Sequence, residues 1–267
     1  MILYLLVILS AVITAGCFLF ILGYILVNGI PYLSLDLFSW TYTSDNVSMM
    51  PAILNTLSMT AIALLIAVPV GVFAAVYLTE YANKGSRIVK VIRITTETLT
   101  GIPSIIYGLF GMLFFVNFLN WRYSLLAGAC TLAIMVLPVM IRTTEEALLA
   151  VPDSYREASF GLGAGKLRTI FRIVLPPATP GILSGVILSV GRMVGETAAL
   201  IYTSGTIAQV STNVFTSGRT LSVHMYSLSR EGLHMKEAYA TAVVLVVIVV
   251  LMNWVSGKIA RKFVKEE

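Results

Sequence analysis

Long apolar runs separated by short charged stretches set the pattern of this 267-residue chain. About twenty consecutive apolar residues cross a bilayer as a helix. Six runs qualify, at roughly 2–27, 52–78, 101–119, 124–141, 181–202 and 238–256. None alternates apolar and polar residues over ten-residue segments, as barrel strands do. The pattern therefore predicts an all-α integral membrane protein with six transmembrane helices. A chain that is 58% hydrophobic and 12% charged excludes an ordinary soluble domain.

Charge placement orients the spans. With the N-terminus inside, loops 79–100 and 142–180 and the tail from Gly257 hold thirteen of the 18 Lys and Arg. The external loops hold Arg122, Arg219, Arg230 and Lys236, and Arg192 lies inside a span. The positive-inside rule then puts both termini in the cytoplasm of a multi-pass cell (inner, cytoplasmic) membrane protein. The basic balance reflects this bias and attraction to anionic membrane lipid, not nucleic acid. Thr14-Ala15-Gly16-Cys17 resembles a cleavage box, but no cation precedes it and the apolar run continues past Cys17, so an uncleaved first helix is expected.

The polar stretch between the fourth and fifth runs carries the most information. Ser154-Tyr155-Arg156-Glu157 reads as a capping box opening a short helix. The glycines Gly161, Gly163 and Gly165 end that helix, and a second one, from about Lys166, is expected to stop at Pro176-Pro177. A short helix bearing Tyr155, Phe160 and Leu162 outside the membrane buries little by itself and needs a partner surface. Glu157-Ala158-Ser159-x3-Gly163-x9-Ile173-x-Leu175-Pro176 resembles the EAA loop of ABC-importer permeases, with Ser159 where Ala is usual. The resemblance implies that Glu157, Ala158, Gly163, Leu175 and Pro176 belong to a helix that docks on a cytoplasmic ATPase.

A second constellation is Gly191-Arg192-Met193-Val194-Gly195-Glu196-Thr197 in the fifth run. Arginine at membrane depth costs about 2.5–3.5 kcal/mol even on a lenient scale. Glu196, four residues on, lies on the same helical face and can neutralise it. The pair either locks helices together or lines a polar pathway in which the Arg192 fork meets an anion. Gly181 and Gly185 form a small-residue stripe suited to close helix approach.

Gly191-Arg192-x-x-Gly195-Glu196-Thr197, with Gly101-Ile102-Pro103-Ser104-Ile105-Ile106-Tyr107-Gly108-Leu109-Phe110-Gly111, looks like the phosphate-importer permease subfamily. Thr197-Ala198-Ala199-Leu200 and the Ser/Thr-rich stretch after it look more like its PstA branch than its PstC branch. The resemblance implies a type I ABC-importer permease (MetI-like) core at 51–257, with an added N-terminal helix and external segment at 1–50 and a basic cytoplasmic tail at 258–267. It also implies a heterodimer with a PstC-like permease, a PstB-like ATPase dimer, a PstS-like phosphate-binding protein, and Arg192 and Glu196 as the charged pair of the substrate pathway.

The remaining chemistry is sparse. The chain has no G-x-x-x-x-G-K-[ST] phosphate loop, so it is expected to be no ATPase and no enzyme. An intramembrane hydrolase would need a nucleophile and base facing each other, and no span holds a His or Lys. Permeation of another oxyanion, or a non-transporting scaffold, are the other readings. Cys17 and Cys130 suggest neither a disulfide nor a metal site. His224 and His234 are expected to be solvated, loop 203–222 to be flexible, and no cofactor or metal is expected.

Overall fold

A computed structural model describes residues 2–83 and 85–265; the side chains of residues 2, 3 and 259–265 are outside the description, as is Lys84. Among the described residues there is no strand. The helices are α1 (Ile2–Gly29), α2 (Met50–Val76), α3 (Arg87–Thr100), α4 (Ser104–Gly111), α5 (Leu125–Leu149), α6 (Asp153–Gly161), α7 (Lys166–Thr169), α8 (Leu175–Val194), α9 (Ala198–Ile201), α10 (Leu221–Glu231) and α11 (Met235–Lys265). Several end in π-helical turns: α2 continues through Tyr77–Tyr81, α4 through Met112–Phe118, and α7 joins α8 through Ile170–Val174.

Five helices are long and apolar enough to cross a membrane, and α3 with α4 and its continuation forms a sixth candidate bent by 104°. The bend falls at Gly101-Ile102-Pro103, where proline lacks an N–H and disfavours helix at the residue before it. The sequence reading placed 79–100 in a loop. It is instead largely α3, whose Ile88 and Val91 are exposed beside the exposed cations Arg87 and Lys90. The fifth span also departs from expectation. It runs unbroken over Lys166–Val194, through Pro176, Pro177 and Pro180. The π turn just ahead of the prolines rearranges the backbone ladder where their missing N–H groups would break it. The span holds Arg192 in its last turn.

Helix α5 is the centre of the bundle: 61% of its apolar window is buried, against none of the α1 window. Met59, Ala63 and Ala67 of α2 meet Leu132, Met135 and Val136 of α5, with Tyr107, Met193 and Leu200 closing the cluster. These methionines are packing, as expected of a flexible apolar side chain. Gly181 and Gly185 bring α8 directly onto Ala147 and Thr143 of α5, with no room for a Cβ at either glycine. Helix α1 touches the rest mainly along α11, through Tyr24 and Tyr239.

The segment between α1 and α2 forms a packed cap with α10 and the start of α11. Leu37, Val47 and Met49 of the segment after α1 bury against Leu221 and Leu228 of α10 and Ala238 of α11. Stretch 203–222 is tied down, not free. Asn55 of α2 donates to the carbonyls of Gln209 (2.8 Å) and Arg219 (3.2 Å) and accepts from the Ser211 N–H (3.0 Å). Ser217 Oγ donates to the Ser204 carbonyl at 2.6 Å, and Leu221 N–H donates to Thr56 Oγ1 at 2.9 Å. The hydroxyl count that suggested flexibility reflects buried backbone satisfaction.

His224 is buried completely and is not solvated. Burial, then the neighbouring Arg219 guanidinium, drives its pKa down to about 3, with the Val47 carbonyl working in the opposite direction. Arg219 is itself 5% exposed and lies 4.6 Å from the Tyr42 ring. Tyr42 is thus part of this cap, while Trp40 stays 68% exposed, in keeping with an interfacial anchor.

Candidate functional site: a docking helix and an intramembrane arginine

Helix α6 does not start with the expected capping box. Its N-cap is Pro152, with no side-chain cap, and Ser154 already lies in the first turn. Proline there fixes the entry, and Asp153 supplies the negative charge favoured at a helix start. The C-terminus is better specified. Gly163 has φ +81°, its N–H reaches the Phe160 carbonyl at 2.9 Å, and the Ala164 N–H reaches Ser159 at 3.1 Å. This is a Schellman ending, which needs a left-handed residue at the position Gly163 holds.

Two contacts fix α6 to the bundle. Arg156 donates to Glu80 Oε1 through Nε at 3.0 Å and Nη2 at 2.7 Å. The same side chain donates to the carbonyls of Leu148 (2.9 Å) and Val151 (2.8 Å), at the end of α5. Arg156 thus joins α6, α5 and the π turn after α2. Ser159, at the position where Ala is usual, shares a 2.8 Å hydrogen bond with Thr169 and ties α6 to α7. Lys166 completes the junction, 4.7 Å from the Tyr81 ring.

The outward side of α6 and α7 is open. A groove of about 510 Å³ is lined by Tyr155, Ala158, Leu162, Gly163, Arg168 and Arg172, among others. Leu162 is 89% exposed, and Tyr155, Leu167 and Phe171 also project into solvent. Glu157 is exposed beside the groove, while Leu175 and Pro176 are half-buried where the helix turns toward the membrane. Of the five positions expected here, Ala158 and Gly163 line the groove, and Glu157, Leu175 and Pro176 do not.

The expected Arg192–Glu196 ion pair is absent. Helix α8 ends at Val194 with Gly195 as its C-cap, so the four-residue spacing no longer puts both side chains on one face. Glu196 Oε1 accepts the Ala199 N–H at 3.1 Å and so caps α9, while its carbonyl accepts from Ser222 at 2.5 Å. Arg192 takes part in none of the ion pairs among the described residues. It borders a recess of about 680 Å³ between α8 and α11, together with Ser184, Ile187, Leu188, Gly191 and Asn253.

Sequence reasoning missed Arg156 and Glu80. Arg156 stood inside the expected capping box and Glu80 just past the second apolar run, but nothing in the linear order joins residues 76 apart.

Comparisons with known proteins bear on the family and the fold. The family described as "Binding-protein-dependent transport system inner membrane component" matches residues 67–265. The chain is 34% identical to the probable ABC transporter permease protein YqgI of Bacillus subtilis, over 95% of this chain and 94% of that one. It is 36% identical to the phosphate transport system permease protein PstA 1 of Mycobacterium tuberculosis, over 78% of this chain and 69% of that protein. Among solved structures, a bacterial alginate ABC transporter aligns over 97% of this chain and 95% of its own, at TM-score 0.70 and 16% identity. The inward-facing MetNI methionine transporter aligns over 80% and 93%, at TM-score 0.63 and 22% identity. Both describe the same fold.

Proposed function

Because the chain belongs to the family of binding-protein-dependent transport-system inner membrane components, we propose that it is the permease subunit through which an ATP-driven importer carries inorganic phosphate. ATP hydrolysis resides in a separate subunit, and a binding protein delivers substrate from outside. The partners are a PstC-like permease, a PstB-like ATPase dimer and a PstS-like phosphate-binding protein. Both termini lie in the cytoplasm, so α6 and α7 face the ATPase and the Asn55-clamped cap faces the binding protein.

The observation that carries this reading is the outward surface of α6. An amphipathic helix with a Schellman end, anchored by Arg156 and presenting Leu162 and Tyr155 to solvent, is a rigid docking element without an occupant in its own chain. Glu157, Ala158 and Gly163 form the docked face, and Leu175 and Pro176 lead its movement into α8. The phosphate assignment is supported by relatives named as phosphate permeases, several of them at 36–40% identity. Arg192 suits it chemically, since a guanidinium without a carboxylate partner is the donor fork an oxyanion requires.

The test is radiolabelled phosphate uptake in cells lacking their own high-affinity phosphate importer. Co-expression of this chain with its partner permease, ATPase and binding protein should restore uptake, and excess sulfate should not compete. Import of a different oxyanion with no phosphate uptake would overturn the substrate assignment.

A further inference from the structure

We propose that α3 is an interfacial helix that binds anionic lipid headgroups of the surrounding bilayer. Its apolar face lies among the first acyl carbons, and Arg87 and Lys90 meet the lipid phosphates. The inference goes beyond the transport reading and does not depend on the substrate.

The sequence builds two faces. Ile88, Val91, Ile92 and Thr95 follow the i, i+3, i+4, i+7 spacing of one helical stripe, while Val89, Arg93 and Glu97 fall on the opposite side. Packing uses the charged side. Val89 is buried, Arg93 pairs with Glu145 of α5, and Glu97 meets Arg142 of α5 at 3.5 Å. The apolar side is thereby turned away from the bundle, with Ile88 71% and Val91 61% exposed. A helix on a water-facing surface has the reverse arrangement.

The helix lies at the membrane boundary and does not cross it. Its 14 residues rise about 21 Å, short of the ~30 Å hydrocarbon core, and four of them are charged. The 104° bend swings it away from the direction of α4. Tyr107 Oη donates to the Leu99 carbonyl at 2.8 Å across that bend. Arg142 and Glu145 belong to the last two turns of α5, the end from which Arg156 anchors α6. In the orientation proposed above, this is the cytoplasmic leaflet, whose surface is negative.

Charge selects the lipid. Arg87 and Lys90 are exposed and take part in none of the ion pairs among the described residues. No acidic residue shares their turn. Cations beside an apolar stripe at headgroup level attract anionic lipid. A zwitterionic headgroup attracts them less, because its own cation opposes theirs.

The test places a fluorophore at Val91→Cys or Ile88→Cys in a Cys17- and Cys130-free background. Both positions are exposed, so the label leaves the core untouched. The full chain, with its co-expressed partner subunits, is put in nanodiscs containing lipid brominated on the acyl chain, a contact quencher. The bromine is carried by phosphatidylglycerol or by phosphatidylcholine. Both labels should be quenched, more by bromine near the headgroup than by bromine near the chain end. Apparent affinity for phosphatidylglycerol should exceed that for phosphatidylcholine at least about fivefold, the effect of one cation near the surface. Arg87→Gln combined with Lys90→Gln should abolish that preference. Absence of quenching by either lipid would mean that protein or water covers this face, and would overturn the proposal. Stronger quenching from the chain end would overturn the interfacial placement. Equal affinity for the two lipids, or a preference that survives the double neutralisation, would overturn the anionic assignment. Nanodisc leaflets are alike, so neither a reversed orientation nor a different transported anion alters these outcomes.

Discussion

Replacing Glu80 with Leu should loosen the docking helix without any change within that helix. The Arg156 and Glu80 side chains are only 14% and 10% exposed, and two guanidinium nitrogens reach one carboxylate oxygen at 2.7 and 3.0 Å. Removing one partner of a buried pair leaves the other charge desolvated and costs about 3–5 kcal/mol. Arg156 keeps its bonds to the Leu148 and Val151 carbonyls and its 3.2 Å pair with Asp153, so the lower end, about 3 kcal/mol, is the appropriate magnitude. At about 1.4 kcal/mol per factor of ten, detachment of α6 from the bundle becomes roughly a hundredfold more frequent. Amides of α6 should exchange with deuterated solvent faster by about that factor, and those in the middle of α5 should not change. In proteoliposomes, phosphate transported per ATP hydrolysed should fall, because the ATPase would move a helix no longer fixed to α2 and α5. The double variant Glu80→Leu with Arg156→Met removes both charges and should be milder than the sum of the single changes. Unchanged exchange in α6 together with an unchanged transport ratio in Glu80→Leu would refute this account.

Other outcomes follow from single geometric facts. Gly163→Ala forces a side chain into φ +81° although open space surrounds it, so it should cost about 1–2 kcal/mol and weaken pull-down of the ATPase. Gly161→Ala, also in open space but at ordinary helical φ, should bind normally, and equal behaviour of the two variants would remove the turn argument. Because the His224 pKa is lowered from its usual 6.5 to about 3, protons bind the unfolded chain preferentially between those values. Stability should therefore drop by about 1.4 kcal/mol per pH unit as pH falls below 6.5, levelling off near 3, and His224→Gln should flatten the slope measured by thermal melting in detergent. For topology, a cysteine replacing exposed Ser44 in a Cys17- and Cys130-free background should react with an impermeant thiol reagent in intact cells. One at exposed Ser154 should react only in inverted vesicles, and labelling of Ser154→Cys from outside would reverse the orientation.

How much of this was legible in the linear chain depends on the range of the forces involved. Apolar run length is a local property set by bilayer thickness, so the order revealed the membrane spans and the polar stretch that interrupts them. The turn at Gly163 and the close approach at Gly181 and Gly185 were legible for the same reason: glycine is the answer to a local backbone or contact demand. Pairings across the bundle were not. Arg192 and Glu196 look like partners at helical spacing, but α8 stops at Val194, and capping of α9 claims the carboxylate. Arg156 finds Glu80 only because α2 and α5 pack along their lengths and bring the end of α2 beside the end of α5. His224 and the hydroxyls of 203–222 read as solvated because polar composition is local, whereas their burial is imposed by Asn55 and by the cap over α10. Hydrophobic patterning chose which segments lie in the membrane; packing then decided which few polar side chains meet there.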